Sequence, residues 1–300
     1  MYGFTLLSPN NNMMNTFKYI RIFSLLASAT LMSSCLKDQD IRTEQDELKE
    51  LSEYLVENNI VKSPTWTGLY FLEDSAGTGE YPVFGDTVVI GFEGRLLDGT
   101  LLASSSVNGE PADFVLWDWQ SGIIPGLFEA VSYMKPGGIA TAIIPSALAF
   151  GGNYNDVIKP YSTLVYDLEL LEVMPGIPVE PYSTEGLSST TTSSGLEYYV
   201  IEATDSTKVP GGAIVSVHYT GYLYNGNIFD SSVKRGRTSE FTVGTGSLIT
   251  GFDEGLQLMR VGEKYRFIIP PELAYGSNGS FPVIPPDEEL TFDVELIGFN

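Results

Sequence analysis

GIIPGLFEAVSYMKPGG at 122–138 and SLITGFDEGLQLMRVGE at 247–263 say nearly the same thing in the same order, about 125 positions apart. The echo continues in register on both sides. IGFEGRLLDGTLL (90–102) is answered by VHYTGYLYNGNIF (217–229), AIIPSALAFGG (142–152) by FIIPPELAYGS (267–277), and TLVYDLELLEV (163–173) by ELTFDVELIGF (289–299). One fold is therefore written twice. Differences between matched positions separate what the fold requires from what a site requires.

A chain of 300 residues and 32.8 kDa suits two domains of roughly 110 residues, each able to bury its own core. Hydrophobic residues make up 43% and charged residues only 18%, so the bulk of the chain folds. With 38 acidic side chains against 16 basic ones, the formal net charge is −22. Nucleic-acid backbones are held by clustered Lys and Arg, so that partner class is excluded. The excess is uneven: residues 63–194 hold 3 basic and 16 acidic side chains, and residues 195–300 hold 7 and 14.

Lys18 and Arg21 precede the apolar run IFSLLASATLM (22–32), then two serines and Cys35, the chain's single cysteine. Charged, apolar and small residues in that order predict a secretory signal over 1–34, too short to serve as a membrane span. LMSSC (31–35) resembles the bacterial lipobox, which implies a lipid-modified Cys35 at the start of an anchor segment, with the chain held to a membrane of the cell envelope. An ordinary secreted chain is the plainer alternative. A lone cysteine has no partner for an internal disulfide. CLKDQD (35–40) resembles the acidic export signals of surface lipoproteins in the Bacteroidetes group, which implies an outer-membrane location, at its periplasmic face or the cell surface.

Residues 42–59 (RTEQDELKELSEYLVENN) predict a helix with Leu48, Leu51 and Leu55 on one stripe, widened by Tyr54 and Val56. It belongs to an anchor segment over 35–62 and reads as a spacer packed on the first domain; a dimerising helix is the alternative. The first repeat then runs over 63–174 and the second over 195–300. Between them, PGIPVEPYSTEGLSSTTTSSG (175–195) has the Pro, Ser and Thr content of a linker over 175–194, with Ile177, Val179 and Tyr182 able to pin it. Each repeat reads as α+β: short strands rich in Val, Ile, Tyr and Phe, one short helix bracketed by glycines, and a hairpin turn at DGT (98–100) or NGN (225–227).

The second repeat, through VHYTGYLYNGNIFDSS (217–232), LITGFDEGLQLMRVGE (248–263), IPPELAYGSNG (269–279) and VIPPDEELTFDVEL (283–296), closely resembles the FKBP-type peptidyl-prolyl cis-trans isomerases, and the first repeat resembles them more loosely. The resemblance implies two tandem domains, each a curved, half-open antiparallel sheet wrapped around a short helix. It implies an isomerase acting on proline-containing polypeptide clients, without metal or cofactor. By resemblance, Phe252 forms the pocket floor, and Tyr219, Phe229, Leu248, Ile249 and Phe292 its walls. Tyr275 and the Ile249 backbone N–H would serve substrate carbonyls. Asp230 would lie beside the twisting amide, held by Tyr219 and Arg235, and Val283 and Ile284 would overhang the site. Ser239 and Ser280 stand where relatives carry an aromatic residue and a histidine. Phe241 reads as core. His218 alternates to the sheet face opposite Tyr219 and reads as structural, with no second histidine to build a metal site.

Matched against this set, the first repeat keeps an apolar pocket of Phe92, Leu102, Ile123, Ile124, Leu127, Phe150 and Tyr166. Phe92 replaces Tyr219, Ala103 replaces Asp230 and Phe150 replaces Tyr275, so the polar members are gone and weak isomerisation at best is expected there. Trp117 and Trp119 read either as a buried domain contact or as a protein-binding surface. No seam for self-association is evident, so a monomer is expected. Two functions stay open: an anchored isomerase assisting the folding of exported or envelope proteins, and a non-catalytic peptide-binding or scaffold lipoprotein.

Overall fold

The computed structural model describes residues 42–300 other than 119, 120, 154 and 156. The signal segment 1–34, Cys35 and Trp119 lie outside the described residues. Chain order is α1 (Glu44–Glu57), β1 (Tyr70–Ser75), β2 (Thr87–Leu96), β3 (Leu101–Ser104), α2 (Ser105–Asn108), β4 (Ala112–Val115), α3 (Pro125–Ser132), β5 (Ile139–Ile144) and β6 (Leu164–Met174). The second half follows with β7 (Thr190–Thr191), β8 (Glu197–Glu202), β9 (Ile214–Leu223), β10 (Ile228–Ser231), β11 (Ser239–Thr242), α4 (Thr250–Leu258), β12 (Lys264–Ile269) and β13 (Leu290–Phe299).

Two antiparallel sheets result. The first runs β1-β5-β6-β2-β3 with β4 also on β2, and the second runs β7-β8-β12-β13-β9-β10 with β11 also on β9. Matched residues occupy matched registers. Gly94 pairs with Tyr166 and Phe92 with Leu168 in the first sheet, as Gly221 pairs with Phe292 and Tyr219 with Val294 in the second. The expected half-open sheet around a short helix is thus present twice. The Thr190–Thr191 strand falls inside the stretch read as linker, because its backbone pairs with Glu197 and Tyr198.

Each core lies between the sheet and its helix. Leu127, Phe128, Ala130 and Val131 of α3 close against Val88, Ile90, Ala142 and Leu168, and Phe252 and Leu256 of α4 close against Val217, Phe267 and Val294. These helices are too short to hold on propensity alone, so burial of one face fixes them. Close approach is built in: a Cβ on Gly251 would come within 2.5 Å of Ile269, and one on Gly255 within 2.7 Å of Phe267. Trp117 packs partly buried against this core, its ring 5.5 Å from Phe128.

The expected apolar stripe of α1 requires correction. Leu51 is buried against Ile143 and Val165 on the outer face of the first sheet, with Tyr54 and Leu55 beside it. Leu48 and Val56, however, are 61% and 78% exposed, and the buried neighbour is Glu47, 5% exposed. Its carboxylate accepts from the Ser146 N–H (2.6 Å), the Ser146 hydroxyl (2.5 Å) and the Thr163 hydroxyl (2.7 Å). A carboxylate with three such donors can be buried where an unpaired one could not, and that rotates the helix away from Leu48.

Candidate active site

In the second domain, alternation along β9 turns Tyr219 to the concave face, while His218 faces out, its Nδ1 3.4 Å from the Ser232 hydroxyl. Phe252, one turn into α4, lies under the sheet and is the hub of an aromatic cluster. Its ring centroid is 4.8 Å from Phe292, 5.8 Å from Tyr219, 5.7 Å from Phe241 and 6.2 Å from Phe267. Phe229 stands at right angles to Phe292 at 5.5 Å. Such edge-on and tilted pairs are the favoured arrangement of aromatic quadrupoles and add stiffness to buried area. Gly221 makes room for them: a Cβ there would come within 2.6 Å of Phe229 and 2.9 Å of Phe292.

One side of this aromatic cluster is polar. The Tyr219 hydroxyl donates to Asp230 at 2.5 Å, Arg235 ion-pairs with the other carboxylate oxygen of Asp230, and Arg235 Nη2 donates to the Tyr219 hydroxyl at 3.1 Å. The three groups satisfy one another at the edge of a low-dielectric space, where an unpaired charge would be costly. Burial, then the neighbouring Asp230 charge, pushes the Tyr219 phenol well above its ordinary range. Burial alone would lower the Arg235 guanidinium, but its hydrogen bond and charge interaction with Asp230 outweigh that and hold it above its usual value. The turn behind Asp230 is braced in turn, since Ser232 Oγ accepts from the Tyr219 N–H at 2.8 Å and Ser231 and Thr220 share a hydrogen bond at 2.8 Å.

Two donors at the site lack an acceptor within the described chain. Ile249 is the N-cap of α4, with extended backbone, and its N–H meets no intramolecular acceptor. Tyr275, between two short 3-10 turns, is 39% exposed, and its phenol is raised by burial and then by the charge of Asp230. It remains a protonated donor across the neutral range. Leu248, Ile249 and Val283 pack half-buried against the cluster, and Ile284 is buried in it. The structure places Phe229, Leu248, Ile249, Val283, Ile284 and Phe292 in or against the cluster around Phe252, with Tyr219, Asp230 and Arg235 joined beside it and Tyr275 within reach of the Asp230 charge. Phe241, read only as core, packs against that cluster too. Among the described residues no group of acidic, histidine and cysteine side chains could hold a metal ion.

The first-domain cleft keeps the scaffold and alters the chemistry. Ile124 caps α3 with nearly the same backbone as Ile249, Leu127 takes the place of Phe252, and Phe92 packs 6.2 Å from Tyr166. Leu102, Ile123 and Phe150 complete the apolar lining. Tyr166 supplies a polar group that matched positions in isolation conceal. Its ring crosses Gly94, which pairs on its other side with Ala103, so its hydroxyl points toward the strand where the second domain carries Asp230. Burial pushes this phenol up to about 12, and no acceptor takes it among the described residues.

The family model described as FKBP-type peptidyl-prolyl cis-trans isomerase matches residues 79–171 and 205–297. "Peptidyl-prolyl cis-trans isomerase FKBP10" of Mus musculus is 35% identical over 217 residues, covering 72% of this chain and 34% of its own length. The chain thus spans about a third of that relative. "FK506-binding protein 2" of Dictyostelium discoideum is 50% identical over 106 residues, covering 35% of this chain and 78% of its own length. "FK506-binding protein 1" of the same organism is 45% identical over 106 residues, covering 35% of this chain and 99% of its own. With both halves matched by one family model and one sheet-and-helix architecture repeated in matching register, the chain belongs to the FKBP-type peptidyl-prolyl cis-trans isomerase family.

Proposed function

We propose that this chain catalyses cis-trans isomerisation of X-Pro bonds in polypeptides, in the second domain, and that it assists the folding of exported or envelope proteins. The observation that carries the catalytic reading is the closed Tyr219–Asp230–Arg235 set at the edge of an aromatic cluster with two open donors. The amide barrier is about 18–20 kcal/mol because the C–N bond has partial double-bond character, so unaided X-Pro exchange takes tens to hundreds of seconds. Conjugation is lost in the twisted amide, and its carbonyl is less charge-separated. A dry aromatic pocket that holds the proline ring therefore favours the twisted form over the planar one. The Ile249 N–H and the Tyr275 hydroxyl fix flanking carbonyls, while Asp230, already paired, faces the rotating group. Lowering the barrier by about 5 kcal/mol would give nearly four decades in rate.

The first domain is proposed to hold polypeptide without turning it over, since Phe150 and Ala103 leave it without the second domain's hydroxyl and carboxylate while Tyr166 and the apolar lining remain. Export and lipid anchoring at Cys35, with the kinship to Bacteroidetes envelope lipoproteins and an outer-membrane location, are proposed on the LMSSC and CLKDQD motifs. No described helix is long and apolar enough to cross a membrane.

The test is proline isomerisation of a short X-Pro peptide by residues 36–300, beside Asp230→Ala with Tyr275→Phe. Activity that falls about a hundredfold in the folded double variant supports the reading, since the charged interactions lost with Asp230 are worth about 1.5–3 kcal/mol and the neutral hydrogen bond lost with Tyr275 about 0.5–1.5 kcal/mol. Absence of activity in the folded wild-type chain overturns it and leaves a peptide-binding scaffold.

A further inference from the structure

The turn that carries Arg235 is held from outside the second domain. Lys234 Nζ lies 3.6 Å from Asp86 Oδ1, with the two side chains only 6% and 8% exposed. Asp86 belongs to the turn before β2 and is itself fixed: Oδ2 accepts from the Val83 N–H at 3.0 Å and Oδ1 from the Gly176 N–H at 3.0 Å, the latter just past β6. The stem of Lys234 lies flush on Gly85, where an added Cβ would come within 3.0 Å of Lys234 Cδ. Gly85 has a φ of +82°, so both space and backbone demand glycine at this contact. Ile177, three residues past the end of β6, lies against Gly236 on the same turn.

The turn itself transmits position. Arg235 N–H bonds to the Ser231 carbonyl (3.3 Å), Gly236 N–H to Val233 (2.9 Å), Arg237 N–H to Ser232 (3.2 Å), and Lys234 N–H to the Ser231 hydroxyl (3.2 Å). Lys234 cannot shift without carrying Arg235, whose guanidinium holds Asp230 and Tyr219. The opposite rim is touched as well. Trp66, on a turn pinned by the Thr67 hydroxyl to buried Glu129 (2.6 Å), meets Phe281 edge-on at 6.1 Å, in the loop that carries Val283 and Ile284.

We propose that Asp86 and Lys234 are positioning residues for the second domain's site, so that the first domain braces the Ser231–Arg237 turn and sets the place of Arg235. A buried ion pair adds little net stability over an apolar pair of the same shape, but it does specify one arrangement, because leaving either charge unpaired is expensive. That suits a brace better than a glue. The catalytic consequence rests on the isomerase reading above; the brace does not.

Both are tested in residues 36–300 carrying Asp86→Asn, Lys234→Met, or both, each shown to melt cooperatively. Hydrogen exchange by mass spectrometry reads the brace directly. Amides of 231–237 should exchange about tenfold faster in each single variant and no faster in the double variant than in the worse single, while 264–269 and 290–299 stay protected. Isomerase kinetics should show kcat lowered about tenfold with KM little changed, the mark of a displaced polar wall rather than a lost pocket. Unchanged exchange at 231–237 in the folded single variants overturns the brace. A wild-type chain without activity overturns the isomerase reading alone, and the exchange result still decides the brace.

Discussion

Glu47 of the N-terminal helix accepts hydrogen bonds from both the backbone N–H and the hydroxyl of Ser146, at 2.6 and 2.5 Å, in a buried contact between residues far apart in the chain. Ser146 opens the short 3-10 turn Ser146–Leu148, two residues before Phe150, so the helix is tied to the segment that leads into the first-domain cleft. Glu47→Ala strands the Ser146 and Thr163 donors and is expected to destabilise the first domain by about 3 kcal/mol. Thermal melting of residues 36–300 checks this, and a variant that melts with the wild type would show the helix to be merely appended.

Gly221 and Gly298 should respond oppositely to alanine. A methyl at Gly221 collides with Phe229 and Phe292, whereas nothing lies within 4 Å of one at Gly298. Gly221→Ala is expected to cost about 1–3 kcal/mol and to depress isomerisation, as overpacking does. Gly298→Ala should be neutral or stabilising by up to about 1 kcal/mol. Urea midpoints of the two variants decide the matter; equal midpoints would mean the aromatic rings yield freely.

Alkaline pH should weaken the second domain. The Tyr219 and Tyr275 phenols are raised above their unfolded value near 10, chiefly by burial. For such groups the fold binds the proton more tightly than the unfolded chain does, so their contribution is fully present below pH ~10 and is lost as pH rises through the folded values. Urea midpoints at pH 8, 10 and 11 should therefore hold and then fall. Isomerisation should stay flat from pH 7 to 9, because Tyr275 remains a donor; a decline within that range would remove it from the role.

Among the described residues, Tyr166 gives the first-domain cleft a side-chain polar handle beside the backbone N–H of Ile124. With the second site disabled by Asp230→Ala and Tyr275→Phe, Tyr166→Phe is expected to weaken binding of an X-Pro peptide to the first domain about fivefold, the worth of one neutral hydrogen bond. Chemical shifts of β6 amides during peptide titration would report it. Binding unaltered by the substitution would show that the Tyr166 hydroxyl takes no part in it.

The repeat, the strands and the second-domain pocket were legible because close packing and turn chemistry leave local marks. NGN and DGT sit at hairpins whose central Gly226 and Gly99 have φ near +86°, and Phe252, Tyr219 and Phe292 recur at positions tied to strand alternation and helix period. Glu47 was not legible. An acidic residue among Glu and Lys on an amphipathic helix looks solvated until its three donors arrive from Ser146 and Thr163. Lys234 hid likewise in VKRGR, and Asp86 in a surface turn, since neither carries a mark of the other.

By itself the sequence determined that one sheet-and-helix unit is built twice and which copy keeps the hydroxyls and the carboxylate, because side-chain chemistry and hydrophobic period are local properties. Only the tertiary structure decided which charges are buried, that the Tyr166 hydroxyl crosses Gly94 toward the strand of Ala103, and that Asp86 of one domain meets Lys234 beside the other domain's site. Burial and charge pairing are set by what the rest of the chain brings alongside, and distance along the chain does not encode that.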